Sequence, residues 1–221
     1  GATLWQVRET QREAEKATLQ AQRATRVRDF LQRVFQSTEP AAGGVPDALE
    51  LLDEGARRAR SDVLHANPLA AADILMLTGR ARLALSEHDD ALADLEEART
   101  LFARIDPDAY RERTDIETEL AQLARERGAA DTALLHSRAA VALGERALAE
   151  RGDPELLLAA KVSLGMSLFS SDQQAAMALF EEVLADLPRH GLQDTELHLT
   201  ALDGLGATLD LADPIDTVRM L

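Results

Sequence analysis

Ala91, Ala133 and Ala176 stand 42 and 43 residues apart, and their surroundings recur with them. Four residues after the first and last comes a large apolar residue, Leu95 or Phe180. Seven residues after each comes Ala98, Ala140 or Val183. Upstream of each, a small residue sits at one matching point: Thr78-Gly79, Leu120-Ala121 and Leu164-Gly165, with Leu205-Gly206 continuing the series. A period of this size is one supersecondary unit that cannot bury its apolar face alone, so each unit stacks on the next into a superhelix. The small residue then lets the second helix of a unit approach the first at short range. A larger side chain there should cost about 1–3 kcal/mol through overpacking.

Each unit reads as a helix hairpin. Five of the seven prolines (Pro68, Pro107, Pro154, Pro188 and Pro214) fall between or at the starts of helical patterns, where the missing N–H does no harm. The patterns predict helices over 69–86, 89–104, 109–127, 130–150, 154–170, 172–187 and 194–212, with tight turns at Gly128 and Asp172 that force antiparallel neighbours. Composition agrees. Hydrophobic residues make up 46% of the chain but aromatics only 3%, so the core is mostly Ala and Leu, both good helix formers. The expected class is all-α, with hairpins at about 67–107, 108–152, 153–190 and a shortened 191–221.

The lead-in is different. Residues 1–36 read as one long helix from about Thr3 to Gln36, sparsely apolar until Val27, Phe30, Leu31 and Val34 fall into helical register. This stretch holds seven Arg and Lys against four Asp and Glu, so the rest of the chain carries more than the whole net charge of −15. A long helix with one weakly apolar half suits a stalk. Residues 37–66 follow as a loop with Pro40, Gly43, Gly44 and Pro46, then a helix with Leu49, Leu52, Ala56 and Ala59 on one face, running to about His65. Trp5 suits either a membrane interface or packing on a neighbouring helix in a dimer.

Several functions are disfavoured. The acidic balance argues against nucleic acid, which needs a basic stripe. Zero cysteines exclude disulfides and thiolate chemistry. His65, His88, His136, His190 and His198 form no ligand pair, and the acidic clusters read as solvated faces, so no metal, cofactor or catalytic residue is expected. The remaining role is binding.

The run from Thr78-Gly79-Arg80-Ala81 to Asp90-Ala91-Leu92, with Leu164-Gly165-Met166-Ser167-Leu168, resembles the Leu-Gly…Gly…Ala pattern of tetratricopeptide repeats. The usual aromatics are missing, and a period near 42 also lies within the range of HEAT and armadillo arrays. The resemblance implies a right-handed superhelix of tetratricopeptide-like hairpins preceded by the long N-terminal helix. It also implies a groove lined by first helices, taking a protein or peptide ligand. Carried over by register, the groove positions are Asp73, Met76, Arg80 and Leu83; Asp115, Thr118, Gln122 and Arg125; Val162, Met166 and Phe169; and Asp203 and Asp210. Met166 and Phe169 serve equally well as core. The Lys, Arg and Asn set that grips two carboxylates in chaperone-binding members is absent.

The segment from Trp5-Gln6 through Val27-Arg28-Asp29-Phe30-Leu31 to Leu51-Leu52-Asp53-Glu54-Gly55-Ala56 resembles the prelude of the outer tetratricopeptide domain in bacterial transmembrane Hanks-type serine/threonine kinases. That resemblance implies a non-catalytic, extracytoplasmic (periplasmic) sensor domain. A membrane helix would lie upstream of residue 1, and a homodimer would form through the N-terminal helix. The kinase's own motifs are absent from this segment. A cytoplasmic tetratricopeptide adaptor, or the effector domain of a transcriptional regulator, is the alternative expectation.

Overall fold

The computed structural model describes residues 48–63 and 66–212. The expected stalk helix over 1–36, Trp5, His65, and the shortened end after 212 lie outside these residues, as does the side chain of Asp210. The described residues are all-helical, and none of their helices is long and apolar enough to cross a membrane. They hold α1 (Ala48–Arg58), α2 (Pro68–Ala84), α3 (His88–Ile105), α4 (Tyr110–Glu126), α5 (Ala130–Arg151), α6 (Pro154–Leu168), α7 (Gln173–Asp186) and α8 (Glu196–Ala212). A π turn (Ala59–Val63) continues α1, and a 3-10 turn (Leu187–His190) continues α7. Two compact units divide between Leu101 and Phe102.

In the first unit, Asn67 starts α2 by accepting the Ala70 N–H at 3.1 Å, with Pro68 at the first helical position. Two helices then meet at a glycine. A Cβ at Gly79 would stand 2.7 Å from Leu95 Cγ, so only glycine lets α3 lie this close to α2. The turn between them needs a left-handed residue. Ser86 supplies it at φ 62°, and 42 residues later Gly128 does so at φ 71° in the α4–α5 turn.

A polar network also holds this unit. Arg82 is buried and donates to Asp94 at 2.6 Å and to Asp53 at 2.5 Å. Asp94, with no exposed surface, also accepts from Arg60 at 2.6 Å, while Arg60 donates to Glu97 at 2.7 Å. The network ties α1, the π turn, α2 and α3 together. Removing Asp94 would leave the buried Arg82 guanidinium with only the exposed Asp53 as a partner; breaking a buried ion pair typically costs about 3–5 kcal/mol.

The second unit runs from Phe102 through α8. Each helix packs on the next, and α4, α6 and α8 also lie side by side, because α6 touches both of the others. Its core gathers Leu158, Val162, Ala176, Phe180, Val183, Leu187 and Ala201. Phe180 is the wedge of that core. A Cβ at Gly165 of α6 would stand 2.8 Å from its ring, and one at Gly204 of α8 would stand 2.5 Å from it. The ring cannot retreat from one glycine without meeting the other. Gly206, which the repeat register aligns with Gly165, instead has open space where a Cβ would stand, so Gly204 makes the contact in α8. At Gly144 the backbones of α5 and α6 nearly touch, since a Cβ there would lie 2.7 Å from Leu157 Cα.

At the start of α4, Tyr110 is fully buried against Leu143, Ala147 and Leu156. Its hydroxyl donates to Glu150 at 2.6 Å and accepts from Arg146 at 2.9 Å. The hydrogen bond to Glu150 is the main influence that raises the phenol above its ordinary value and holds the Glu150 carboxyl below its own.

Gly165→Leu should lower stability by about 1–3 kcal/mol, seen as a thermal midpoint several degrees lower; an unchanged midpoint would remove the wedge from the account. Tyr110 is the sole tyrosine, so absorbance titration reads it alone. Its midpoint should lie above 10.0, the ordinary phenol value, and Glu150→Gln should bring it down. Because the folded value is raised, this bond stabilises the fold below the unfolded phenol pKa, and that contribution is lost as pH rises through the folded one. A midpoint that ignores Glu150→Gln would contradict the hydrogen bond.

Candidate functional site

The side-by-side first helices of the second unit enclose an open cavity of about 520 Å³. Helical spacing builds its wall. Thr118, Gln122 and Arg125 fall on one face of α4; Ala159, Val162, Ser163 and Met166 fall on one face of α6; and Leu197 and Thr200 come from α8. Glu119 and Glu126 line it as well. The surface is therefore an aliphatic floor with polar and charged groups along one side. That is the makeup of a groove that receives apolar side chains and orients them by a few polar contacts.

The polar side is organised by Arg125. Its guanidinium is half-buried, and burial pushes it below its ordinary value, while the attraction of Glu126 works against that. Its hydrogen bond goes to the Ser167 hydroxyl at 3.1 Å rather than to a carboxylate. Ser167 donates in turn to the Ser163 carbonyl at 3.0 Å and shares a 2.7 Å bond with Ser137 of α5. The small hydroxyls let α5 and α6 lie close while meeting one another's polar demand. Ser163 is different. Its Oγ is buried and has no hydrogen-bond partner, although the residue lines the cavity. Gln122 donates to Glu126 at 2.8 Å, and Thr118 to the Asp115 carbonyl at 2.7 Å.

The structure brings Gln122, Arg125, Val162 and Met166 together at this cavity, with Thr118 beside them. Met166 is 38% exposed, whereas Val162 is buried in the floor. Asp115 is half-buried one turn earlier on α4, and Phe169 is half-buried at the C-terminal cap of α6; neither lines the cavity. Asp203 is exposed on α8, away from the lining. In the first unit, Asp73, Met76 and Leu83 are buried and present little surface to a ligand, while Arg80 is exposed.

Glu119, Glu126, Ala159, Ser163, Leu197 and Thr200 are the lining residues that register alone does not pick out. Ser163 stands three residues before Met166, so the same helical face that selects Met166 could have selected it. Thr200 and Leu197 lie three and six residues nearer the start of α8 than Asp203.

Elsewhere in this unit His136 and Glu117 pair across α5 and α4 at 2.7 Å, both buried. This interhelix contact lies off the cavity lining. Among the described residues no group of three His, Asp or Glu side chains could hold a metal ion.

Compared with protein-family models, curated proteins and solved structures, the chain shows no match.

An unpartnered buried hydroxyl costs about 1–3 kcal/mol relative to a satisfied one. Ser163→Ala should therefore raise the stability of the free chain by about 1 kcal/mol in urea unfolding. A clear loss of stability would mean that the hydroxyl has a partner in solution.

Proposed function

We propose that this chain is a non-catalytic interaction module that binds a protein or peptide segment along α4, α6 and α8. Its helix pairs are read as a right-handed superhelix of tetratricopeptide-like hairpins. The observation that carries the proposal is the open cavity lined jointly by three successive first helices, with Met166 exposed beside the Val162 floor. An extended segment laid across three helices can place one apolar side chain in the floor and its polar groups against Arg125 and Gln122. The position of the second helices supports the same reading, since α5 and α7 do not contribute to the lining.

The resemblance of the lead-in segment to a kinase prelude extends the proposal. On that reading the module is the extracytoplasmic sensor of a membrane serine/threonine kinase. Residues 1–36 would be its stalk, and partner binding would bias the stalk between two arrangements. This extension rests on likeness of sequence. Relay also requires the ligand to favour one arrangement over the other.

Selection of displayed peptides on the whole chain tests the core of the proposal. Met166→Glu places a charge on the exposed rim of the groove and should weaken a selected peptide by at least about tenfold. Leu135→Glu, at a position of α5 that is 66% exposed and outside the lining, should leave it unchanged. Binding lost with Leu135→Glu and kept with Met166→Glu would overturn the groove assignment.

A further inference from the structure

The groove contains two sets of donors without an acceptor of matching strength. Arg125 spends one N–H on the neutral Ser167 hydroxyl, in a chain where Arg60, Arg82 and Arg111 are all bonded to carboxylates. A planar guanidinium offers a fork of five donors that suits a carboxylate in bidentate geometry. Across the same cavity, Ser163 is 9% exposed and its Oγ has no partner. One donor comes from α4 and the other from α6, with the aliphatic surface of Val162, Met166 and Leu197 beside them.

From this juxtaposition we infer that the groove recognises a single carboxylate carried on an aliphatic stem, with the carboxylate held between Arg125 and Ser163 and the stem on the Val162–Met166–Leu197 surface. The inference rests on the groove reading above and adds the chemistry of its ligand. The donors of Arg125 and Ser163 call for the anion, and the charges around them limit it to one. Glu119 and Glu126 line the same cavity, so a second negative charge, as on a phosphate, would be repelled where one charge is met by Arg125. Desolvation strengthens the selection, because a half-buried guanidinium gains more from an ionic partner than an exposed one does. The carboxylate has two sources in a peptide: an acidic side chain or a free C-terminus.

The test is a chemical-shift titration of the whole isotope-labelled chain with four probes. N-acetyl-leucine carries a terminal carboxylate and N-acetyl-glutamate methylamide a side-chain one. N-acetyl-leucinamide and N-acetyl-glutamine methylamide are their neutral counterparts. Ligands of this size bind in about the millimolar range, which the titration reads. At least one acid should bind about tenfold tighter than its amide, shifting the Arg125, Ser163 and Met166 signals, and the acid that does so identifies the source. Arg125→Gln should abolish the preference, and Ser163→Ala should reduce it.

Equal binding of each acid and its amide, no binding of either acid, or a preference that survives Arg125→Gln overturns the inference. Selected peptides that depend on Met166 but show no carboxylate preference would overturn it while leaving the groove reading intact. Peptides that bind independently of Met166 would end both.

Discussion

Phe180 held between Gly165 and Gly204 is the contact on which the second unit depends. Its ring leaves no space for a Cβ on either side, so one side chain of α7 fixes the positions of both α6 and α8. Those two helices supply most of the groove floor. The distance across the floor is thus set from behind by a packing contact that no ligand touches. Leu95 against Gly79 repeats half of the arrangement in the first unit, with a smaller side chain and one glycine. A core this poor in aromatics gains its density from close helix approach, with alanines such as Ala91, Ala133 and Ala176 fully buried. Gly144 against Leu157 shows the limit, where one backbone meets another.

Much of this was legible in the sequence, because helix ends and small-residue contacts are local or periodic signals. The helices predicted from 69 to 212 agree with α2 through α8 within two residues at each end. Spacing singled out Gly79 and Gly165 as points of close approach and Leu95 and Phe180 as recurring large residues, while the structure shows which of them meet. Register failed where one residue type serves two neighbours. Gly204 faces the second helix before it, a different contact from the one Gly165 makes within its own pair, so aligning Gly206 with Gly165 could not reveal it. The π turn at Ala59–Val63 was also hidden, since an added residue in a helical turn leaves the apolar pattern nearly intact.

The buried polar contacts were the least legible part. Arg82 with Asp94, and His136 with Glu117, join residues 12 and 19 apart across two helices. Periodicity does not pair such residues, because nothing local marks a charge whose partner arrives from another element. The groove was half-legible for a related reason. Register placed Gln122, Arg125, Val162 and Met166 at the cavity, but it also selected Asp73, Met76 and Leu83, which are buried in the first unit. A groove exists only where neighbouring helices leave space, and that depends on side-chain volume across helices. Ser163 combines both problems, being a small polar residue whose meaning comes from Arg125 on another helix. An unsatisfied hydroxyl in an otherwise tight core is the kind of local cost that binding sites carry.

Amide hydrogen exchange of the whole chain, with and without a peptide selected on it, tests the central claim most directly. A segment laid across the first helices should slow exchange in α4, α6 and α8 around residues 118–126, 159–166 and 197–200, with α5 and α7 nearly unchanged. Protection centred on α5 and α7, or confined to the first unit, would contradict the account.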